Sequence, residues 1–454
     1  MEILTVTDEG LGHSSHVVGL PDGHALIIDP SRFPDRQRQL LAERGWELGW
    51  TADTHSHADY ISGSRTLATE GAVFLAPARA GLEHAHRPVE PGEDVELTAG
   101  VVLRALPTPG HTPDHLAYLL VEHGEPVVLF SGGSLMVGTV GRTDLLGTRH
   151  APRLAAQLFR ALRDEILTLP DDLPVLPTHG AGSFCSAAAG APTATTIGAE
   201  RATNPLLQID DEHRFVDRIV GTHGSFPTYF RLLPERNQRG PVPHRHVPAL
   251  PALRPTEVAE RLVDGATLVD ARPIERFAAG HPAGALSNAL RPVFGSWLGW
   301  LVPLDTPIVL LLDDDQDPTE AVRQALTVGH EQLVGIVDGG CAAWAGAGLS
   351  TATIPLVGSD AASGPGTVID VRQRSEWGDG HVPGAVHVEL GAIADAPLAS
   401  GPATLMCGHG ERAMTAAAIL AARGHRELRV LAGGPGDWVA ATGGRLATFG
   451  EPVR

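Results

Sequence analysis

The chain has 454 residues, 43% of them hydrophobic and 19% charged, a balance that excludes a disordered protein and, at roughly 100–200 residues per domain, calls for two to four domains. Its formal net charge of -19 excludes the basic face that nucleic acid or an anionic membrane would need, and no apolar run is long enough to cross a bilayer. Met1 to Gly10 hold Glu2, Asp8 and Glu9 without an apolar core, so the expectation is a cytoplasmic protein with small-molecule partners, no nucleic acid and no membrane; homo-oligomerisation is left open.

From the N-terminus, the segments HALIIDP, VVLRALPTP and VVLF read as short strands closed by Gly, Pro or Asp. RQRQLLAER and PRLAAQLFRALRDEIL carry apolar residues at helical spacing, so strands and helices mix in this half. TADTHSHADYISGS sets His55, His57 and Asp59 at alternating positions after a strand-like run; PTPGHTPDHLAYLL then brings His111, and VLPTHGAGSFC brings His179. A lone histidine is usually a core or surface residue, but three loops that each deliver a histidine after a strand suit a site for zinc or iron.

These segments, in this order, resemble the metallo-β-lactamase fold, within it the glyoxalase II and persulfide dioxygenase branches; GRTDLL, Gly141 to Leu146, favours the latter. The resemblance spans residues 1–240 and implies an αββα sandwich with a metal site at one edge of its paired sheets. Two positions depart from the pattern. Tyr60 stands where the H-x-H-x-D-H motif ends in histidine, and Gly133 stands where the family places its ligand aspartate. Of the branch's iron set of two histidines and an aspartate, His55 and His111 remain. His57 could complete a single iron or zinc site with them, leaving Asp59 and His179 nearby but outside a full second site; the alternative is a domain without metal, kept as a scaffold. The family's HDY, whose tyrosine contacts glutathione, reads HGA after His179, which argues against glutathione as the thiol carrier. Arg142 is a candidate for a substrate carboxylate, with an ion pair as the plainer reading.

The proline-rich GPVPHRHVPALPALRP, residues 240 to 255, suits a linker. Beyond it LVDARPIERFAAGHPAGAL is echoed by VIDVRQRSEWGDGHVPGAV, pairing Arg272 with Arg372, Phe277 with Trp377, His281 with His381 and Gly284 with Gly384; VDGGCAAW is echoed by LAGGPGDW. Two copies of one α/β domain follow, with residues 351–367 expected to link them.

In the second copy PATLMCGHGERAMTAAAILAARG reads as a strand, a glycine-containing loop from Cys407, and an Ala-rich helix. Such a turn aims backbone N–H groups at the cysteine, Gly408 and Gly410 let the loop curl, and Arg412 can meet an anionic sulfur donor. Together with the repeat signature, this loop, Cys407, Gly408, His409, Gly410, Glu411 and Arg412, resembles the rhodanese family, in which a cysteine takes the outer sulfur of thiosulfate or a thiol persulfide and passes it on. Placing Asp313 opposite Cys407 and Pro318 opposite Arg412 makes the first copy inactive, with Cys341 in its core. The whole reads as an α/β and α+β multidomain chain: residues 1–240 metallo-β-lactamase-like, 255–352 rhodanese-like without the cysteine, 364–454 rhodanese with it. The leading function is a sulfurtransferase acting on a persulfide or thiosulfate and an acceptor thiol. The alternatives are an active persulfide dioxygenase producing sulfite and an inert first domain with a binding or regulatory role.

Overall fold

A computed structural model describes residues 1–180, 183–185, 192–364, 366–398 and 401–448. The chain forms two compact units, Met1–Val247 with Leu326–Gly329, and Pro248–Ala325 with His330–Arg454. Among the described residues no helix is long and apolar enough to cross a membrane.

In the first unit, a six-stranded sheet runs in chain order from Glu2–Asp8 to Arg87–Val89, antiparallel at its start and parallel from His24–Ile28 onward. A second six-stranded sheet holds Asp94–Thr98, Val101–Pro107, Leu116–Glu122, Glu125–Gly132, Pro174–Pro177 and Thr195–Thr196. The sequence patterning explains the stacking. His13–Gly19 is buried along its whole length because both of its faces are covered. Val18, Leu26 and Ile28 meet Leu103, Tyr118 and Phe130 between the sheets, while Val17 and Ile27 face Leu40 and Leu41 of the helix Asp35–Arg44. On the far side Leu154, Leu158 and Leu162 pack with Phe215 and Ile219. These layers are the αββα sandwich expected, and each fully buried apolar side chain contributes about 1.5–3 kcal/mol before entropy is counted. The histidine loops leave the ends of Glu47–Ala52, Val101–Pro107 and Pro174–Pro177, and an isolated bridge joins His13 to His179.

The second unit holds two all-parallel five-stranded sheets. One is ordered Ala252–Leu253, Leu333–Val337, Ile308–Leu311, Thr267–Asp270, Leu286–Ser287; the other is ordered Leu356–Val357, Leu428–Leu431, Ala403–Met406, Thr367–Asp370, Val386–His387. The repeat is therefore one topology used twice. Residues 351–367 differ from the expected linker: their apolar pair Leu356–Val357 is the edge strand of the second sheet, hydrogen-bonded beside Leu428–Leu431.

The residues that echo each other in sequence do the same structural work. Arg272 clamps Asp270 at 2.6 Å and donates to the Gly280 carbonyl, as Arg372 clamps Asp370 at 2.6 Å and donates to that of Gly380. His281 stacks on Phe277 at 3.7 Å and His381 on Trp377 at 3.6 Å. Gly284 and Gly384 adopt φ of +86° and +80°, where a side chain would be strained.

Candidate functional site

The first unit gathers its histidines at one buried place. Ligand atoms of His55, His111 and His179 all lie within 4.8 Å of one another, as do those of His57, Asp59 and His179. Hydrogen bonds fix the tautomers. Thr54 Oγ1 donates to Asp29 Oδ2 at 2.8 Å, so His55 Nδ1, 2.8 Å from that hydroxyl, is the donor to it and Nε2 keeps a lone pair. His111 Nδ1 donates to the Arg142 carbonyl at 2.8 Å; its Nε2, buried, has no hydrogen-bond partner among the described residues. His179 Nδ1 faces Asp59 Oδ2 at 3.3 Å, and its Nε2 lies 3.4 Å from that of His55.

Burial holds His111 down at about 3 and His55 well below the usual imidazole range, so both are neutral. Burial also opposes ionisation of Asp59, but the neighbouring His179 and His57 overcome it and hold the carboxyl at about 2. Three imidazole nitrogens facing one point, each backed by an acceptor on its other nitrogen, is the donor set and outer shell that a divalent ion takes. The residues fit a metal.

His57 does something else. Its Nε2 lies 3.1 Å from Asp29 Oδ1 and 3.0 Å from Tyr60 Oη. Burial alone would lower it, yet the Asp29 carboxylate raises it to about 9; its Nδ1, buried, has no hydrogen-bond partner among the described residues and lies in the group with Asp59 and His179. Beside the expected set of His55, His57 and His111, the structure groups the ligand atoms of His55, His111 and His179, and places His57 in a second group with Asp59 and His179. Asp59 orients His179. Tyr60, in the position of a family ligand, stacks on His57 at 4.4 Å. At Gly133 a Cβ would lie 2.3 Å from His111 Cδ2, so the ring occupies the room a carboxylate would need.

In the second unit, Cys407 follows the strand Ala403–Met406 and precedes the helix Glu411–Ala422. Its side chain is 1% exposed, and Gly410 N–H points at Sγ from 3.1 Å. Gly410 makes that approach at φ +107°.

A model of the metallo-beta-lactamase superfamily matches residues 8–179, and a model of the rhodanese-like domain matches 254–347 and again 358–441. The mitochondrial persulfide dioxygenase ETHE1 of Homo sapiens is 30% identical over 200 residues, 43% of this chain and 71% of that protein. The chain belongs to the metallo-beta-lactamase superfamily and carries two rhodanese-like domains. A hydroxyacylglutathione hydrolase of Synechococcus sp. is 31% identical over 41% of this chain and 80% of its own length. A crystal structure of a metallo-beta-lactamase from Staphylococcus aureus subsp. aureus COL, 28% identical, superposes with a TM-score of 0.65 over 74% of this chain and 98% of that one. Metallo-beta-lactamase and rhodanese-like domains thus combine here as a sulfur-metabolism fusion.

The sheet register corrects the comparison of the two rhodanese copies. Asp270 pairs with Leu311 and Asp370 with Met406, so Leu312, one residue earlier than Asp313, stands opposite Cys407, and Asp317, not Pro318, stands opposite Arg412. An equal spacing to the next strand agrees, Ile308 pairing with Leu333 as Ala403 pairs with Leu428. The first copy has an apolar side chain in place of the thiol. Cys341 lies apart from that position, half-buried, with Sγ 3.5 Å from the Gly280 carbonyl.

Around the Cys407 loop, His409 is exposed, while Glu411 and Arg412 are half-buried. Arg412 is paired with Glu376 rather than open to an incoming anion. Gly434 of the GGPGDW segment backs the loop so closely that a Cβ there would lie 2.4 Å from the Gly408 carbonyl oxygen.

Arg142 of the metallo-beta-lactamase domain is 7% exposed and committed. It grips Asp144 at 2.7 and 2.9 Å, donates to the Phe184 and Gly224 carbonyls, and lies 4.2 Å from the Phe226 ring. It braces the loop that holds His111, and the pair with Asp144 is the plainer reading that the sequence offered for it. Ala181, the position read as replacing the family's tyrosine, lies outside the described residues.

Sequence reasoning missed Asp29, His13 and His115. Asp29 accepts from Thr54, His57 and Thr178. His13 reaches the Asp29 carbonyl at 2.8 Å, and His115 accepts the Gly133 N–H at 2.9 Å. The D in HALIIDP, ending a buried strand, and the second histidine of GHTPDH were the signals available.

Proposed function

We propose that this protein is a sulfurtransferase that moves sulfane sulfur through a Cys407 persulfide to an acceptor thiol. The observation that supports this is the Gly410 N–H aimed at a buried Sγ where a strand turns into a helix: the loop offers backbone dipoles to a sulfur anion, first as thiolate and then as persulfide. The Cys407 thiolate attacks the outer sulfur of thiosulfate or a thiol persulfide, the donor's S–S bond breaks with its electron pair leaving on the donor, and an acceptor thiolate later removes the outer sulfur from Cys407. The test is mass analysis of the full chain after exposure to each donor. A gain of one sulfur atom on the peptide bearing Cys407, discharged by an added thiol, is the expected result; an unmodified Cys407 under both donors refutes the reading.

A second reading concerns the metallo-beta-lactamase domain, and the three-imidazole cluster together with the likeness to a persulfide dioxygenase favours it. His55, His111 and His179 would hold one iron or zinc ion, with Asp59, Thr54 and the Arg142 carbonyl fixing the rings. Such an ion supplies a Lewis-acid centre able to hold a sulfur or oxygen ligand. Oxygen uptake with a thiol persulfide, compared in iron-loaded and chelated protein, separates an active dioxygenase from an inert domain.

A further inference from the structure

The cation at the end of the Cys407 loop is neutralised from outside the loop. Arg412 Nη1 and Nη2 lie 2.6 and 2.8 Å from the two oxygens of Glu376, a bidentate pair that uses both terminal nitrogens. Glu376 is itself fixed, because it accepts the Gln373 N–H at 3.0 Å and so caps the helix Arg374–Asp379. The two side chains retain 16% and 39% exposure, which places the pair at the rim of the site.

The first copy completes that rim with apolar groups. Trp297, on the helix Phe294–Leu301, has its ring centre 5.9 Å from Arg412 Cζ. Ile274 of the same copy reaches Gly410, whose Cβ, were there one, would lie 2.8 Å from Ile274 Cδ1. A donor approaching Cys407 therefore meets the Gly410 N–H at the sulfur, a compensated cation, and an apolar wall.

The two copies treat these positions in opposite ways. The sequence echo sets Arg276 opposite Glu376, and the corrected register sets Asp317 opposite Arg412. The charges are exchanged where the thiol is absent. Only the copy with a cysteine has a loop cation together with a carboxylate that cancels it.

We infer that Glu376 determines donor specificity: by neutralising Arg412 it disfavours thiosulfate and makes the persulfide of an organic thiol the preferred donor. This rests on the sulfurtransferase reading. With an organic persulfide R–S–SH, the Cys407 thiolate attacks the outer sulfur, a Cys407 S–S bond forms as the donor's breaks, and RS⁻ departs with the electron pair, the proton remaining on the transferred sulfur. With thiosulfate the same step expels sulfite, a dianion, and a rim without net positive charge gives it little stabilisation. The carbon skeleton of an organic donor, by contrast, gains contact with Trp297 and Ile274.

The experiment compares kcat/KM of the full chain for thiosulfate and for the persulfide of 2-mercaptoethanol, in wild type and in Glu376→Gln, which keeps the shape and an oxygen for the Gln373 N–H. Wild type is expected to prefer the organic persulfide by about tenfold or more, and the variant to raise the thiosulfate value by about tenfold, mostly through KM, with a smaller change for the organic donor. Equal falls for both donors would make Glu376 a helix cap and nothing more, overturning the inference. Should the variant not fold, the wild-type salt dependence decides: a thiosulfate KM that stays flat from low to high salt supports a neutral rim, and a steep rise with salt overturns it. Transfer from neither donor in wild type would sink the sulfurtransferase reading itself, a result distinct from either of these.

Discussion

His57 Nε2 and Asp29 Oδ1 lie 3.1 Å apart, with neither side chain exposed to solvent. An ion pair sealed in this way is costly to break, because the survivor is left as a buried charge; the usual loss is about 3–5 kcal/mol. His57→Ala should therefore lower unfolding free energy by about that amount in urea titration, while the metal content of the folded fraction stays at the wild-type value. A loss of metal equal to that of His111→Ala would instead make His57 a ligand.

Asp59 would act on a bound metal through His179. Asp59→Asn removes the carboxylate facing Nδ1 at 3.3 Å and should weaken metal affinity about 10–100-fold, the range typical of partners one step behind a ligand. Competition with a chelator of known affinity reads this directly. The wild-type chain should bind one equivalent, and two equivalents would show a second site.

Sulfur transfer should vanish in Cys407→Ser, since a hydroxyl does not ionise to serve as the sulfur-accepting anion. The converse substitution, Leu312→Cys, places a thiol at the equivalent position of the first copy. Combined with Cys407→Ser it should remain inactive, because Asp317 stands where the active loop has Arg412. Thiol-dependent turnover by that double variant would show that the loop needs no cation.

Gly434 tests the backing of the loop. Its Ala variant puts a methyl group 2.4 Å from the Gly408 carbonyl oxygen, and the backbone must shift to accept it. Overpacking of this kind costs about 1–3 kcal/mol. Since the shifted segment carries Cys407, transfer activity should fall further than stability does. Gly436→Ala, with nothing within 4 Å of its added Cβ, is the control and should retain wild-type turnover.

The rhodanese-like copies were legible because their signatures are contiguous: Asp270-x-Arg272 and Asp370-x-Arg372 close on themselves within a few residues, as do the stacked Phe277–His281 and Trp377–His381 pairs. The histidine loops, in their order, carried the resemblance that implied an αββα sandwich. The inner arrangement of the histidine cluster was not legible, because it depends on strands far apart in the chain. Asp29 and Thr178 are separated by 149 positions yet share a hydrogen bond, and the same carboxylate takes His57 Nε2 at 3.1 Å. The burial of Arg142 escaped notice for the same reason, its partners at Phe184 and Gly224 being supplied by distant loops. The slip of one residue between copies had another origin: the unbroken run of leucines through Leu312 hides where the strand ends, and only the pairing of Asp270 with Leu311 marks it.

The absent side chain at Gly133 sets a condition on redesign of the site. With the His111 ring 2.3 Å from where a Cβ would sit, an aspartate substituted at this position displaces the imidazole. A carboxylate installed there calls for a second substitution that gives the His111 loop somewhere to go.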